Sequence, residues 1–343
     1  MPSLTPNTGL FGAVGSLKNF VNVVKEVDFE EVRSRAERVP TVIVIASDAD
    51  HAFKAAVDIF GERPERYVEV KGVAEGQGVR IDAHRYEVVI VYDPDRTSLL
   101  DRVKQATAAA SGFGGKLYFL AASLPGPRTP AEQVRLEMVT AQPDLAPALG
   151  RFFPEFRAAA TKAIVDETSR ANAQFALVSN VPAIVPVLGG FIAAGADVIV
   201  LTKNQIMMCY KLAALHGKDL HDQTRIIAEL VPVVGAGFLW RTAAREAAAF
   251  LPLAAGTIPK VAIAYAGTMA VGWATDFYYR YGKKPSKTQL SEFTKRASEL
   301  AQSLPLPGRD DDKQPKDAAR TEAIDVTPKE GFAGETEKTE AIR

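Results

Sequence analysis

Cysteine is nearly absent from this 343-residue chain. The single Cys209 excludes an intramolecular disulfide framework and any cysteine-only metal cluster. Histidine is scarce, with four residues. A surplus of either charge is missing too: 41 basic side chains cancel 41 acidic ones, so the overall balance points to no nucleic acid or other polyanionic partner. The first basic residue, Lys18, follows the first apolar stretch instead of preceding it, so no N-terminal signal peptide is expected. What is present is ordinary for a folded protein, 47% apolar and 24% charged residues. At ~150 residues per domain the length predicts about two domains, each able to bury a core. The charges crowd the two ends of the chain and desert its middle.

Leu10, Val14, Leu17, Val21 and Val24 recur at alternating spacings of four and three, with Phe11 and Phe20 beside them. This stripe predicts an amphipathic helix, docked on the next domain or lying on a membrane surface. After a charged connector the period changes at Pro40. Thr41–Ala46 (TVIVIA) is a continuous β-branched run, the mark of a strand buried on both faces. Tyr67–Lys71, Glu87–Tyr92 and Lys116–Ala121 are further strands, with helices at Ala52–Phe60 and Ser98–Ala110. The alternation predicts a parallel or mixed sheet covered on both sides. Three prolines in Leu124–Pro130 close this unit.

Everything afterwards reads as helix. From Ala171 to Ala196 there is no charged residue, a run of 26 that exceeds the ~20 needed to cross a hydrocarbon core. Asn172, Gln174, Asn180, Pro182, Pro186 and the Gly189-Gly190 pair interrupt it, so the best window for a transmembrane helix is Ala183–Leu201. Leu230–Trp240, Ala247–Pro259 and Val261–Thr275 are shorter apolar stretches that suit helix packing in lipid or in a tight soluble bundle. Beyond Leu306 large apolar residues almost vanish, and a disordered charged tail is expected.

The first strand and helix frame the place where a phosphate-binding loop would sit. That loop needs glycines to let its amides wrap the phosphates, a lysine to neutralise them and a hydroxyl for magnesium. Here Ala46 and His51 fall at the glycines, Ala52 at the lysine and Phe53 at the hydroxyl, while Lys54 comes two positions late. The spacing from Ala46 to Gly61 nevertheless fits an Era-like GTPase. At the end of EVVIVY, Asp93 occupies the position of a GTPase aspartate, with Arg96 three residues later where a γ-phosphate-sensing glycine would be. Residues 40–128 therefore read as a GTPase-like scaffold that has lost its nucleotide site, or as an unrelated α/β domain. Val198–Gln205 (VIVLTKNQ) imitates the guanine-reading motif, but Gln205 replaces the aspartate, and one amide cannot supply two acceptor oxygens. The glycines of Ser111–Lys116 precede a strand and read as a helix-to-strand turn.

Asn180-Val181-Pro182, Leu201-Thr202-Lys203-Asn204-Gln205 and Lys211-Leu212-Ala213 occur in that order, followed by AYAGTMAVGWATDFYYRYG from Ala264 to Gly282. On these elements the region from Phe156 to Tyr281 resembles the bacterial domain of unknown function 697, the YcjF-like domain. That resemblance implies a bacterial protein at the cytoplasmic side of the inner membrane, peripheral or integral. It also implies a helical domain that often follows an Era-like GTPase domain, which favours the GTPase-like reading of residues 40–128. It implies a neighbourhood and not a reaction.

If Gly189–Leu215 is one helix, Asp197, Asn204 and Lys211 recur every seven residues on one face, next to Lys203 and Gln205. They form a candidate polar seam that pairs helices or lines a water-accessible cavity in the membrane; alternatively the stripe meets water or the first domain. Asn172, Gln174 and Asn180 either extend the seam or cap a helix that ends at Pro182. His216, Asp219, His221 and Asp222 crowd one loop without the i, i+4 spacing of helix-borne metal ligands, so no metal is expected. No nucleophile elbow and no cysteine–histidine pair is apparent, and Cys209 reads as a core residue.

The expected fold class is α/β followed by all-α. Residues 1–39 hold a helix and connector, 40–128 the α/β domain, 129–155 a linker helix region, 156–282 the YcjF-like domain, 283–306 a C-terminal helix and 307–343 the tail. The expected function is a non-enzymatic, membrane-associated scaffold without cofactor. Its partners would be membrane lipid and a protein or a second copy of itself, with no nucleic acid. An atypical GTP-binding switch and a soluble helical interaction module are the alternatives.

Overall fold

The four predicted strands all form, and all run parallel. The computed structural model describes residues 27–178 apart from 96, 111 and 112, residues 196–229 apart from 224 and 227, and residues 257–303. After helix α1 (Glu30–Glu37) come β1 (Val42–Ala46), α2 (Ala49–Phe60), β2 (Val68–Gly72), β3 (Val88–Tyr92), α3 (Leu99–Ala109) and β4 (Lys116–Leu120). The strand order is β2-β1-β3-β4, with Val42 level with Val68 on one side and Val88 on the other. Every residue of β1 is buried. Val42, Val44, Val88 and Ile90 meet Ala55, Ala56 and Ile59 of α2 on one face, while Ile43, Ile45, Val89 and Val91 meet Leu99 and Val103 of α3 on the other. A sheet covered on both faces explains the continuous apolar runs, since neither face of a central strand reaches water. In such doubly wound sheets, ligands bind beyond the carboxyl ends of the strands where the order reverses, which here is between β1 and β3.

Two helices, α4 (Pro130–Ala141) and α5 (Ala146–Phe152), lead from the sheet into a helical layer. Thr129 and Glu132 form a reciprocal capping box at the start of α4, and Pro130 sits in its first turn. The layer consists of α6 (Arg157–Val178), α7 (Ala196–Leu215), α8 (Thr257–Tyr281) and α9 (Lys287–Gln302). A Cβ on Gly272 would lie 2.5 Å from Val165 Cγ2, so the glycine is what lets α8 approach α6 so closely. One face of the sheet shares its core with the helical layer. Phe60 of α2 packs on Phe153 and Phe156 at 4.8 and 5.3 Å between ring centroids, and Phe29 packs on Tyr210 of α7 at 4.5 Å.

The expectation of a transmembrane helix is overturned for the described residues: no helix there is long and apolar enough to cross a membrane. The physical reason is that the helices are not uniformly apolar. Lys203, Asn204 and Lys211 on α7 and Asp276 and Arg280 on α8 interrupt them, and most of the inward polar groups bond to neighbouring helices instead of being left for lipid. The expected window 183–201 falls mostly outside the described residues, as do the Leu10–Val24 helix, the 230–240 stretch, most of 247–259 and the tail. Val198–Gln205 lies within α7, so the imitation of a guanine-reading motif is helix and not strand.

Candidate functional site

Two places in the fold gather polar side chains: the carboxyl ends of β1 and β3, and the interior of the helical layer.

At the strand ends only Ser47 and Asp48 separate β1 from α2. Asp48 caps the helix, accepting from the His51 amide at 2.8 Å, and its other oxygen lies 2.6 Å from His51 Nδ1. These bonds, the backbone one first, hold the Asp48 carboxyl below its ordinary range. The first turn of α2 is thus met by a carboxylate of the protein itself, in the place where a phosphate would be bound. From the side, Gly72 at the end of β2 closes on the same turn: a Cβ there would stand 2.5 Å from Ala49 N and 2.6 Å from Asp48 C. Next to it Val73 N donates to Ala46 O at 2.9 Å. Asp93, 5% exposed, plays the matching part after β3. One of its oxygens accepts from Thr97 N and Thr97 Oγ1, the other from Leu99 N, at 2.8 to 3.0 Å. Asp48 is thus occupied as the cap of α2, and Asp93, the aspartate that the nucleotide reading singles out, is occupied by Thr97 and the first amide of α3.

In the helical layer Thr268 of α8 is the hub. Its Oγ1 accepts from Asn172 Nδ2 of α6 at 2.9 Å and from Gln205 Nε2 of α7 at 3.0 Å, and donates to Ala264 O at 2.8 Å. Asn204 Nδ2 donates to Asn172 Oδ1 at 2.8 Å. The predicted seam residues Asn204 and Gln205 therefore come together, joined by Asn172, across three helices and not along one. Lys203 and Lys211 are half-buried on α7. Asp197 lies in the first turn of α7, and its side chain is outside the described residues.

A second cluster was not anticipated. Asp276, 1% exposed, accepts from Thr161 Oγ1 at 2.9 Å and lies 2.9 Å from His216 Nε2 through Oδ1; its Oδ2 accepts from Arg280 Nη2 at 2.9 Å. The available signal was one carboxylate in an otherwise apolar and aromatic helix with an arginine four residues on. Its other partners are far away in sequence. Arg157 stands near the same group, with its pKa lowered first by burial and then by Arg280. Lys218 covers the Tyr279 ring at 5.3 Å, and burial pushes the Tyr279 hydroxyl upward.

The residues of the His216–Asp222 loop disperse. His216 turns to Asp276, His221 lies 3.6 Å from Glu37, and the Asp222 carboxylate accepts from Arg225 N at 2.9 Å. Among the described residues no group of three or more metal-ligating side chains forms. Cys209 is buried beside Thr275, and burial pushes its thiol up to about 12, so it is held as an inert thiol. Chemically the two polar clusters fix helices against one another: their donors and acceptors are turned toward each other.

No family model matches the chain, and neither a curated protein nor a solved structure matches it.

Proposed function

We propose that this chain is a non-catalytic scaffold: a GTPase-like α/β layer without a nucleotide site, fused to a YcjF-like helical layer, that binds a protein partner or a second copy of itself. The observation that supports this most is the turn between β1 and α2. Its amides are met by the Asp48 carboxylate and it is closed from the side by Gly72, where a nucleotide-binding sheet needs an open glycine loop. The dispersal of the histidines and the burial of Cys209 favour the same reading, as neither supplies a nucleophile or a metal set. Where the chain works is then set by its partner; among the described residues no helix is long and apolar enough to cross a membrane.

The test is a fluorescent-GTP titration of the full chain with and without magnesium, beside a pull-down at native expression level. No saturable nucleotide binding and recovery of a reproducible partner or of the chain itself is the expected result. Micromolar, magnesium-dependent binding contradicts the scaffold and installs a switch; a pull-down that recovers neither partner nor self-association removes the scaffold reading as well.

A further inference from the structure

The helices α4 and α6 enclose a cleft of about 420 Å³, within the range of small-molecule sites. Arg128, Arg135 and Lys162 supply its positive lining, and Leu136, Ala158 and Ala159 much of its apolar lining. The two lining carboxylates are Glu132 and Glu155.

These charges are not equally matched. Glu132 is committed to the capping box, where its Oε2 accepts from Thr129 N at 2.7 Å. Lys162 is bound to Asp166, one helical turn along α6. Arg135 differs: its side chain is 14% exposed, Nη2 donates to Asp58 O at 2.9 Å, Nη1 approaches Glu155 O at 3.4 Å, and Nε is buried without a partner. Glu155, its paired carboxylate, stands off at 3.8 Å and is 55% exposed. A largely desolvated guanidinium is thus met mainly by neutral carbonyls. Burial lowers its pKa, the direction expected of a cation that lacks a close anion.

We propose that the cleft binds a small organic monocarboxylate, its carboxylate on Arg135 and its apolar body over Leu136, Ala158 and Ala159. A planar carboxylate matches the guanidinium fork. The one lining guanidinium shown without a close anion suits a monoanion, and Glu132 and Glu155 in the lining oppose a phosphate dianion. This site is independent of the scaffold reading, which it neither needs nor tests.

The experiment is calorimetric titration of the full chain with hexanoate, its uncharged analogue hexanamide and inorganic phosphate. The variants are Arg135→Gln and Ala158→Trp. Ala158 is exposed on α6 in the cleft wall, so a tryptophan there fills the space without disturbing the core, and an unchanged melting temperature checks this. Saturable hexanoate binding that weakens about 10-fold or more for hexanamide, for phosphate and in each folded variant supports the site. No saturation by about 10 mM hexanoate, equal affinity for hexanamide or phosphate, or binding untouched in Ala158→Trp overturns it.

Discussion

Thr161 on α6 and Asp276 on α8 share a hydrogen bond of 2.9 Å across 115 residues of sequence. It belongs to a carboxylate that also contacts His216 and Arg280, so Asp276 ties three segments of the helical layer together. Asp276→Ala leaves the Thr161 hydroxyl and the buried His216 ring without their acceptor and should cost about 3–5 kcal/mol. Asp276→Asn, which keeps an acceptor, should cost less. Urea unfolding followed by circular dichroism reads both; an unchanged midpoint for the alanine variant would remove the cluster from the account of stability.

The Thr268 hub makes a sharper test because its replacement can keep the shape. Thr268→Val preserves the packing volume closely but strands the Gln205 amide donor and leaves Asn172 Nδ2 only its 3.5 Å bond to Leu201 O, for an expected loss of about 2–4 kcal/mol. Asn204→Ala should lose less, since Asn204 is half-buried and water can replace its bond. Equal losses in the two variants would show that the three-helix network does not centre on Thr268.

At the strand ends the closest approach is that of Gly72 to the backbone of Asp48 and Ala49. Gly72→Ala drives a methyl group into main-chain atoms that cannot rotate away, and should destabilise by about 1–3 kcal/mol. A thermal melt that places the variant at or above the parent would mean that the turn has room which the close approach denies.

Asp48 provides a pH dependence with a fixed sign. Its folded-state pKa lies below the ordinary 3.8, so the stability the cap contributes is complete above that value. That stability is lost as pH falls through the lower folded value. Carbon-detected titration of the Asp48 carboxyl should give a midpoint below 3.8, and His51→Ala should keep much of the shift because the backbone amide is its first cause. A midpoint at or above 3.8 in the parent would contradict the capped geometry.

Cys209 should be silent in the folded protein. Burial raises its thiol to about 12, so a thiol reagent at pH 8 meets neither access nor thiolate. One equivalent should react after denaturation and almost none before. Rapid labelling under native conditions would place α7 in exchange with an open form.

The sheet was legible because its chemistry is local. TVIVIA and EVVIVY announce central strands, as a covered parallel sheet asks for β-branched residues on both faces. The departures from a phosphate-binding loop at Ala46, His51, Ala52 and Phe53 are legible residue by residue. The helical interior could not. The heptad of Asp197, Asn204 and Lys211 suggested a stripe along one helix, whereas adjacent Asn204 and Gln205 both bond inward because α7 packs against both α6 and α8. Asp276 gave almost no signal, since His216 lies 60 residues away and Thr161 115. The cleft behind Arg135 likewise depends on α4 and α6 meeting, which no spacing within either helix encodes.

The pairing of α6 with α8 also sets an order of events during synthesis. Some 115 residues separate Thr161 from its acceptor. At bacterial-to-eukaryotic elongation rates of ~5–20 residues per second, α6 emerges from the ribosome roughly 6–23 s before α8 does. For that interval Thr161 and Asn172 have no partner on α8, and the apolar flank of α6 at Val165 that will meet Gly272 is uncovered. The nascent chain therefore carries a completed sheet beside an unfinished helical face, the state in which a chaperone has most to offer and a translational pause before α8 does most harm.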